Sequence, residues 1–138
     1  LFAVYLVAAR GTLSLSVLLG TAIILLGIVI EGVADTQKQT AKASAPNSFV
    51  RNGLFARWRH PNYSGEIIVQ VGLIVAGVGA VVGGWASYLA VCVSPVYIIL
   101  LMISEGLRAD QALHSRYDSV DGFGEYWQNS GSLLPKIG

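Results

Sequence analysis

Residues 67–104, IIVQVGLIVAGVGAVVGGWASYLAVCVSPVYIILLMIS, contain no charged side chain over 38 consecutive positions. A single membrane helix needs about 20 apolar residues, so this stretch is too long for one span and long enough for two. Gly83-Gly84 offers the natural break between them. The sequence therefore predicts two antiparallel membrane helices, near residues 62–82 and 86–106.

The composition of the whole chain is also typical of a membrane protein. Of its 138 residues, 54% are hydrophobic and 12% are charged, against roughly 25% charged in soluble domains, and the mean hydropathy is +0.61. These values, with a net charge of +1, exclude a disordered tail, a coiled coil and an ordinary nucleic-acid-binding domain. The single cysteine, Cys92, and only two histidines exclude a disulfide framework and a zinc knuckle, so no metal site is expected.

A third span lies nearer the start of the chain. Residues 13–30 carry no charge over 18 positions, which predicts a helix near 13–31. The apolar residues 1–9 are too few to span, and we interpret them as the end of another helix, a terminal piece at 1–10. A cleaved signal peptide is the competing interpretation, but it would need a basic stretch before the apolar core. Because Leu1 already lies inside an apolar run, one interpretation is that the natural chain extends upstream.

The predicted fold class is therefore an all-α integral membrane protein, with three transmembrane helices plus a partial N-terminal one in a single domain over residues 1–138. Helices are required because the open edge of a sheet cannot satisfy its backbone groups in lipid. The polar loop 31–61 and the tail 105–138 complete the chain. Within them we expect residues 39–52 to be a loop, and the segment 121–124 (Asp-Gly-Phe-Gly) to interrupt the tail.

Charge placement predicts the orientation in the membrane. Eight of the nine lysines and arginines lie in the polar loop or the tail, and only Arg10 lies elsewhere. With two spans between them, the loop and the tail fall on one face, where we expect them to contact each other. By the positive-inside rule that face is cytoplasmic, or the matrix or stromal equivalent in an organelle.

The segment 59–66, Arg-His-Pro-Asn-Tyr-Ser-Gly-Glu, contains the strongest candidate site. Pro61 suits the first turn of a helix, and Asn62, Glu66 and Gln70 then form one polar stripe at the mouth of a membrane helix. A carboxylate at this depth indicates a functional site, although a structural ion pair with an arginine is the alternative. Arg59 and His60, beside free backbone N–H groups, suit a phosphate, and contact with lipid headgroups is the alternative for the arginines.

Two further groups lie on the same face. Glu31 and Asp35 are four residues apart, so both carboxylates lie on one side of a helix at the membrane exit, where they could accept hydrogen bonds from ribose hydroxyls or an amide. An ordinary hydrated helix end is the alternative. Arg108 lies one turn beyond the membrane, and we expect it to reach Asp35 or Glu66 and offset the cost of burying them.

These segments together resemble a known family. Gly53-Leu54-Phe55, the run 59–63 (Arg-His-Pro-Asn-Tyr) and Gly65-Glu66 resemble the signature of the steroid 5-alpha-reductase C-terminal domain, and more closely that of its bacterial and organellar relatives of unknown substrate. The segment 31–38 ahead of the signature, and Glu125-Tyr126 followed by Leu134-Pro135 at the end, are similar to the same group. Isoprenylcysteine carboxyl methyltransferases, in the wider superfamily, carry a similar Arg-His-Pro-x-Tyr-x-Gly string that helps to bind S-adenosylmethionine.

The resemblance implies a cofactor site. In the reductases the C-terminal helices enclose NADPH, and the positions that match cofactor contacts or neighbour them here are Glu31, Asp35, Arg59, His60, Asn62, Tyr63, Glu66, Arg108 and Tyr117. The catalytic acid and tyrosine of the reductases belong to an N-terminal half, so catalytic residues are expected upstream of this chain. The chain departs from the family at Ser104-Glu105, and at residues 127–129 (Trp-Gln-Asn), where basic residues are usual.

Three functional hypotheses remain open. The first is an NADPH-dependent membrane reductase of a carbon–carbon double bond in a lipid, steroid or isoprenoid. The second is a non-catalytic accessory subunit of a large membrane complex, with no cofactor. The third is a membrane methyltransferase that uses S-adenosylmethionine. The expected partners are a lipid-like substrate, membrane lipids and, for the second hypothesis, other membrane subunits, with no nucleic acid.

Overall fold

A computed structural model of the chain describes residue 8 and residues 14–137. Within residues 14–137 the chain forms four α-helices and one short 3-10 helix, namely α1 (Leu15–Ser44), the 3-10 helix (Gly53–Ala56), α2 (Pro61–Ala80), α3 (Trp85–Tyr117) and α4 (Phe123–Asn129). The described residues contain no strand, only one isolated bridge between Trp58 and Gly131. The predicted all-α fold class is therefore confirmed, while the expected terminal piece at 1–10 lies, apart from residue 8, outside the described residues.

Three of these helices are long and apolar enough to cross a membrane. They are α1, α2 and α3, which agree in number with the predicted spans. Only 11% of the most apolar 18-residue window of α3 is buried, and its exposed side chains include Leu89, Val93 and Leu100. A water-soluble monomer rarely exposes so large an apolar surface, so the chain is a membrane protein.

Helix α1 extends well beyond its predicted end near residue 31. It continues to Ser44, so the first part of the expected loop 39–52 is helical instead. The extension consists mainly of good helix formers such as Ala, Gln and Lys. Thr36, Thr40 and Ser44 each donate a hydroxyl hydrogen bond to the carbonyl four residues earlier, which keeps these polar groups satisfied within the helix.

Helix α3 begins where the sequence predicts and ends later. Gly83 has φ +135°, a conformation that favours glycine, and the chain turns there between α2 and α3. The helix then runs through Pro95 and past the expected end near residue 106 to Tyr117. The predicted interruption at 121–124 is confirmed in part. The chain leaves the helix over residues 118–122, where Gly122 adopts φ +77°, but Phe123 and Gly124 already belong to α4.

The described residues fall into two compact units, and the first contains residues 14–28 and 65–101. In this unit α1 and α2 pack antiparallel through small residues. A methyl group on Gly20 would lie 2.6 Å from the Cβ of Ala76, and one on Gly27 would lie 2.6 Å from the carbonyl oxygen of Gly65. The two backbones therefore approach so closely that only glycine fits at these positions.

The second unit contains residues 29–64 and 102–137. Its core is an aromatic cluster formed by Phe49 of the polar loop with Tyr117, Phe123 and Tyr126. The ring centre of Phe49 lies 5.2 Å from that of Phe123 and 5.1 Å from that of Tyr126. The loop and the tail therefore contact each other, as the sequence predicts, and all of the polar features described next belong to this unit.

Candidate functional site

Asp110, on α3, binds both basic residues of the 59–66 segment, Arg59 and His60. Its Oδ1 accepts hydrogen bonds from Arg59 Nε at 2.9 Å and from His60 Nε2 at 2.8 Å, and its Oδ2 accepts one from Arg59 Nη2 at 3.2 Å. The Arg59–carboxylate contact is therefore a two-pronged ion pair, the strong form of this interaction. The side chains of Arg59 and Asp110 are only 9% and 15% exposed.

The rest of the Arg59 guanidinium is held by the tail. Nη1 donates to the backbone carbonyls of Trp127, at 3.3 Å, and Ser130, and the guanidinium carbon lies 4.0 Å from the centre of the Trp127 ring. This short distance makes a cation–π contact. Arg59 therefore connects the polar loop to α3 and to the end of α4, and each of its three guanidinium nitrogens donates to a protein group.

Backbone hydrogen bonds also join the residues before α2 to the tail. The amide of Arg59 donates to the carbonyl of Gly131 at 2.8 Å, and the amide of His60 donates to the carbonyl of Ser132 at 3.1 Å. In return, the amide of Gly131 donates to the carbonyl of Arg57 at 3.0 Å. The tail therefore lies as an extended segment beside the entry to α2.

His60 is buried, and its charge state follows from its surroundings. Burial lowers the pKa of His60 below the usual 6.5, the hydrogen bond and the charge of Asp110 oppose that shift, and the positive charges of Arg59 and Lys38 favour it. The net shift is downward, so His60 is neutral near pH 7. A neutral ring with its proton on Nε2 donates to Asp110 and leaves Nδ1 as an acceptor.

A cavity of about 250 Å³ adjoins this cluster and is basic. Its lining includes four cationic side chains and three tyrosines, and no Asp or Glu is among the lining residues. The lining residues are Lys38, Lys42, Phe49, Val50, Phe55, Arg59, His60, Tyr63, Ala109, Ala112, Leu113, Arg116, Tyr117 and Tyr126. A cavity with this charge and these aromatic rings suits an anionic ligand.

Tyr126 lines this basic cavity and belongs to the aromatic cluster. Burial raises the pKa of Tyr126 to about 12, so its hydroxyl stays protonated at any physiological pH. Lys42 reaches the same cluster, because its Nζ lies 3.2 Å from the hydroxyl of Tyr117. Tyr117 is also buried, so the cavity has rigid aromatic walls beneath its charged side chains.

A larger polar groove, of about 690 Å³, lies next to the basic cavity. Both are lined by Phe49 and Val50, so the two spaces meet at these residues. The other lining residues of the groove are rich in hydroxyl and amide groups, and they are Thr36, Gln37, Thr40, Ala41, Ser44, Ala45, Ser48, Arg51, Asn52, Gly53, Val120 and Asp121. Such groups donate and accept hydrogen bonds to sugars and bases.

Some of the residues expected from the sequence lie at the basic cavity and others do not. Those that line it are Arg59, His60, Tyr63 and Tyr117. Four others in this unit, Glu31, Asp35, Asn62 and Arg108, are not among the lining residues. Glu66 belongs to the first unit, where its Oε1 accepts a hydrogen bond from Gln70 Nε2 at 2.6 Å.

Arg108 does not make the ion pair with Asp35 that the sequence suggested. Its Nη1 lies 2.7 Å from Oε1 of Glu105, three residues earlier on α3, and its side chain is 70% exposed. Because α3 continues as a helix past residue 106, Arg108 stays on its surface beside Glu105. Within the described part of the chain its charge is paired locally.

Four important residues were missed as site candidates, namely Lys38, Lys42, Asp110 and Arg116. A signal for the lysines exists, because positions 38 and 42 share one face of a helix once α1 is known to continue. Asp110 has no such local signal, since its partners lie 50 and 51 residues away. Within residues 14–137 no group of three or more His, Cys, Asp or Glu side chains is arranged to hold a metal ion.

Comparison with known proteins identifies the family of the chain. A family model described as "Protein of unknown function (DUF1295)" matches residues 1–130, nearly the whole chain. No curated protein and no solved structure matches the chain.

Proposed function

The chain belongs to this DUF1295 family, and from that premise we propose that it forms the cofactor-binding part of a membrane-embedded reductase. The reductase takes a hydride from NADPH and reduces a carbon–carbon double bond in a lipid, steroid or isoprenoid substrate. The similarity of the 59–66 segment and its flanking motifs to the steroid 5-alpha-reductase C-terminal domain supports this choice.

The observation that carries the proposal is the pairing of the basic cavity with the polar groove. The basic cavity offers cations without a lining carboxylate, which suits the phosphates of a dinucleotide. The groove that meets it at Phe49 and Val50 offers hydroxyls and amides, which suit a ribose and a base. With about 250 Å³ the basic cavity takes only one end of a dinucleotide, so the two spaces are needed together.

The residues of this chain serve to bind and orient. Bound NADPH would supply a hydride to the β-carbon of an enone and leave as NADP⁺, with a proton from water adding at the α-carbon. Lys42 would hold phosphate oxygens, and Tyr63 and Tyr117 would frame them. Arg59, His60 and Asp110 would fix the wall of the cavity, which maintains the geometry on which transfer depends. No substrate-contacting residue is assigned to this chain.

The membrane orientation belongs to the same proposal. Eight of nine basic residues lie in the polar loop and the tail, so this face is cytoplasmic, matrix or stromal by the positive-inside rule. NADPH is a soluble, charged cofactor, and a site on this face receives it directly from the aqueous phase. The apolar helices contact membrane lipids, and a lipid-like substrate reaches the protein through the bilayer.

A binding titration tests the proposal. The purified protein in detergent is titrated calorimetrically with NADPH, NADH and S-adenosylmethionine. Saturable binding of NADPH, weakened by charge removal at Lys42 (Lys42→Gln), is the expected result. Binding of S-adenosylmethionine alone would reject the reductase in favour of the methyltransferase.

A non-catalytic accessory subunit is the second candidate, and one observation favours it. Nε, Nη1 and Nη2 of Arg59 each donate to Asp110 or to the tail carbonyls, so the motif residue that suits a phosphate has a structural role instead. Such a protein needs no cofactor and packs against other membrane subunits. Failure of all three ligands to bind in the titration would select this candidate.

A further inference from the structure

The four cationic side chains of the basic cavity differ in whether other protein groups already form ion pairs or hydrogen bonds with them. Arg59 is neutralised by Asp110. Lys42 Nζ lies 2.6 Å from the carbonyl of Ser48. Lys38 and Arg116 are exposed, and within residues 14–137 neither forms an ion pair or a hydrogen bond. The cavity therefore has two cations whose charges are available to a ligand.

Lys38 and Arg116 both line the basic cavity, although different helices carry them, Lys38 on α1 and Arg116 on α3. Lys38 is four residues before Lys42 on α1, so both lie on one face. The guanidinium carbon of Arg116 lies 5.4 Å from the centre of the Tyr117 ring, and Lys42 Nζ lies 5.6 Å from the same centre. Positive charge is thus concentrated around Tyr117, and no lining carboxylate offsets it. A doubly charged anion would relieve the repulsion among these cations.

We propose that Lys38 and Arg116 form a clamp for a phosphate monoester. A monoester carries a charge of about −1.5 to −2 at pH 7, which two free cations match, whereas each phosphate of a diester or pyrophosphate bridge carries about −1. Resting on the proposed function, this ligand group is the 2′-phosphate of NADPH. Because NADH lacks that group, the clamp gives the protein its preference between the two dinucleotides.

The same group occurs in the headgroup of phosphatidic acid, and a basic site beside membrane helices can also bind anionic lipid. The test therefore compares both sources. Wild-type protein and the variants Lys38→Gln, Arg116→Gln and the double variant are titrated with NADPH and NADH in detergent. Each is also titrated in lipid nanodiscs of phosphatidylcholine with and without phosphatidic acid.

The matched control is Arg57→Gln, since Arg57 is an exposed arginine of the same unit that lines neither space. We expect each clamp variant to weaken NADPH binding about tenfold, as for loss of one charge-assisted hydrogen bond, and the double variant more. Binding of NADH should stay within about twofold. The control should leave both dinucleotides unchanged.

The results of these titrations distinguish failure of the clamp proposal from failure of the reductase proposal. Equal weakening of NADPH and NADH, or no weakening, overturns the clamp while the reductase proposal stands. If wild-type protein binds neither dinucleotide but binds phosphatidic acid through Lys38 and Arg116, the reductase proposal fails and the clamp holds a lipid monoester. If neither dinucleotide nor phosphatidic acid binds, both proposals are overturned.

Discussion

Arg59 and Asp110 are 51 positions apart in the sequence, yet they form a two-pronged ion pair with N–O distances of 2.9 and 3.2 Å. The pair joins the entry to α2 with α3, and His60 adds a third hydrogen bond to the same carboxylate. A nearly buried ion pair is favourable only when well-aligned hydrogen bonds offset the cost of removing its charges from water, and this pair is nearly buried and well aligned. Asp110 is therefore the residue on which the geometry of the candidate site most depends.

Replacing Asp110 with Asn should destabilise the protein strongly. The variant leaves the charge of Arg59 buried without its partner, which costs about 3 kcal/mol of unfolding free energy. Thermal unfolding followed by circular dichroism in detergent measures the change. Asp118→Asn serves as the control, because Asp118 is exposed and pairs with the exposed His114 at 3.4 Å. Its replacement should cost about 0.5 kcal/mol or less. Similar melting temperatures for the two variants would contradict this account of Asp110.

The stability of the protein should also depend on pH through His60. Its folded-state pKa lies below 6.5, so the unfolded chain takes up a proton first as the pH falls. The contribution of neutral His60 is therefore fully present above about pH 6.5 and decreases below it. Melting temperatures at about pH 7.5 and 5.5 should show this loss, and His60→Gln should reduce the difference. His114→Gln, at the exposed histidine, is the control, and an equal effect of both variants would reject the assignment.

The sequence predicts the features of this protein that neighbouring residues determine, and it misses those that depend on contacts between distant residues. The three spans follow from uncharged runs, because the thickness of a bilayer fixes the length of an apolar helix. The end of α1 at Ser44 does not follow, since residues 32–44 have helix propensity but no apolar periodicity. Arg59 and His60 were found as candidates because their motif is local. Asp110 was not, since tertiary contact alone selects it as their partner.

The close packing of α1 and α2 predicts opposite effects for two glycines of α1. Gly20→Ala places a methyl group 2.6 Å from the backbone nitrogen of Ala76, so the helices must separate, at a cost of about 1–3 kcal/mol. Gly32→Ala meets no atom within 4 Å and should stabilise the helix by roughly 0.5–1 kcal/mol. Thermal unfolding of both variants checks the sign of each effect. A stabilising Gly20→Ala would show that the helices do not approach as described.

Asn62→Ala offers a test of NADPH binding that is separate from stability. Within the described residues the Asn62 side chain is half-buried and makes no hydrogen bond, so its loss should change the unfolding free energy by only about 0.5 kcal/mol or less. Asn62 lines neither the basic cavity nor the polar groove. The similarity of its motif to the reductases nevertheless implies a contact with the cofactor, and removal of such a contact should weaken NADPH binding by about 1–3 kcal/mol. Calorimetric titration of wild-type protein and variant measures the difference. Ser64→Ala provides the contrast. Ser64 donates a hydrogen bond to the carbonyl of Leu133 in the tail, so this variant should lower the unfolding free energy. If Asn62→Ala leaves the NADPH affinity of an otherwise binding protein unchanged, Asn62 does not contact the cofactor.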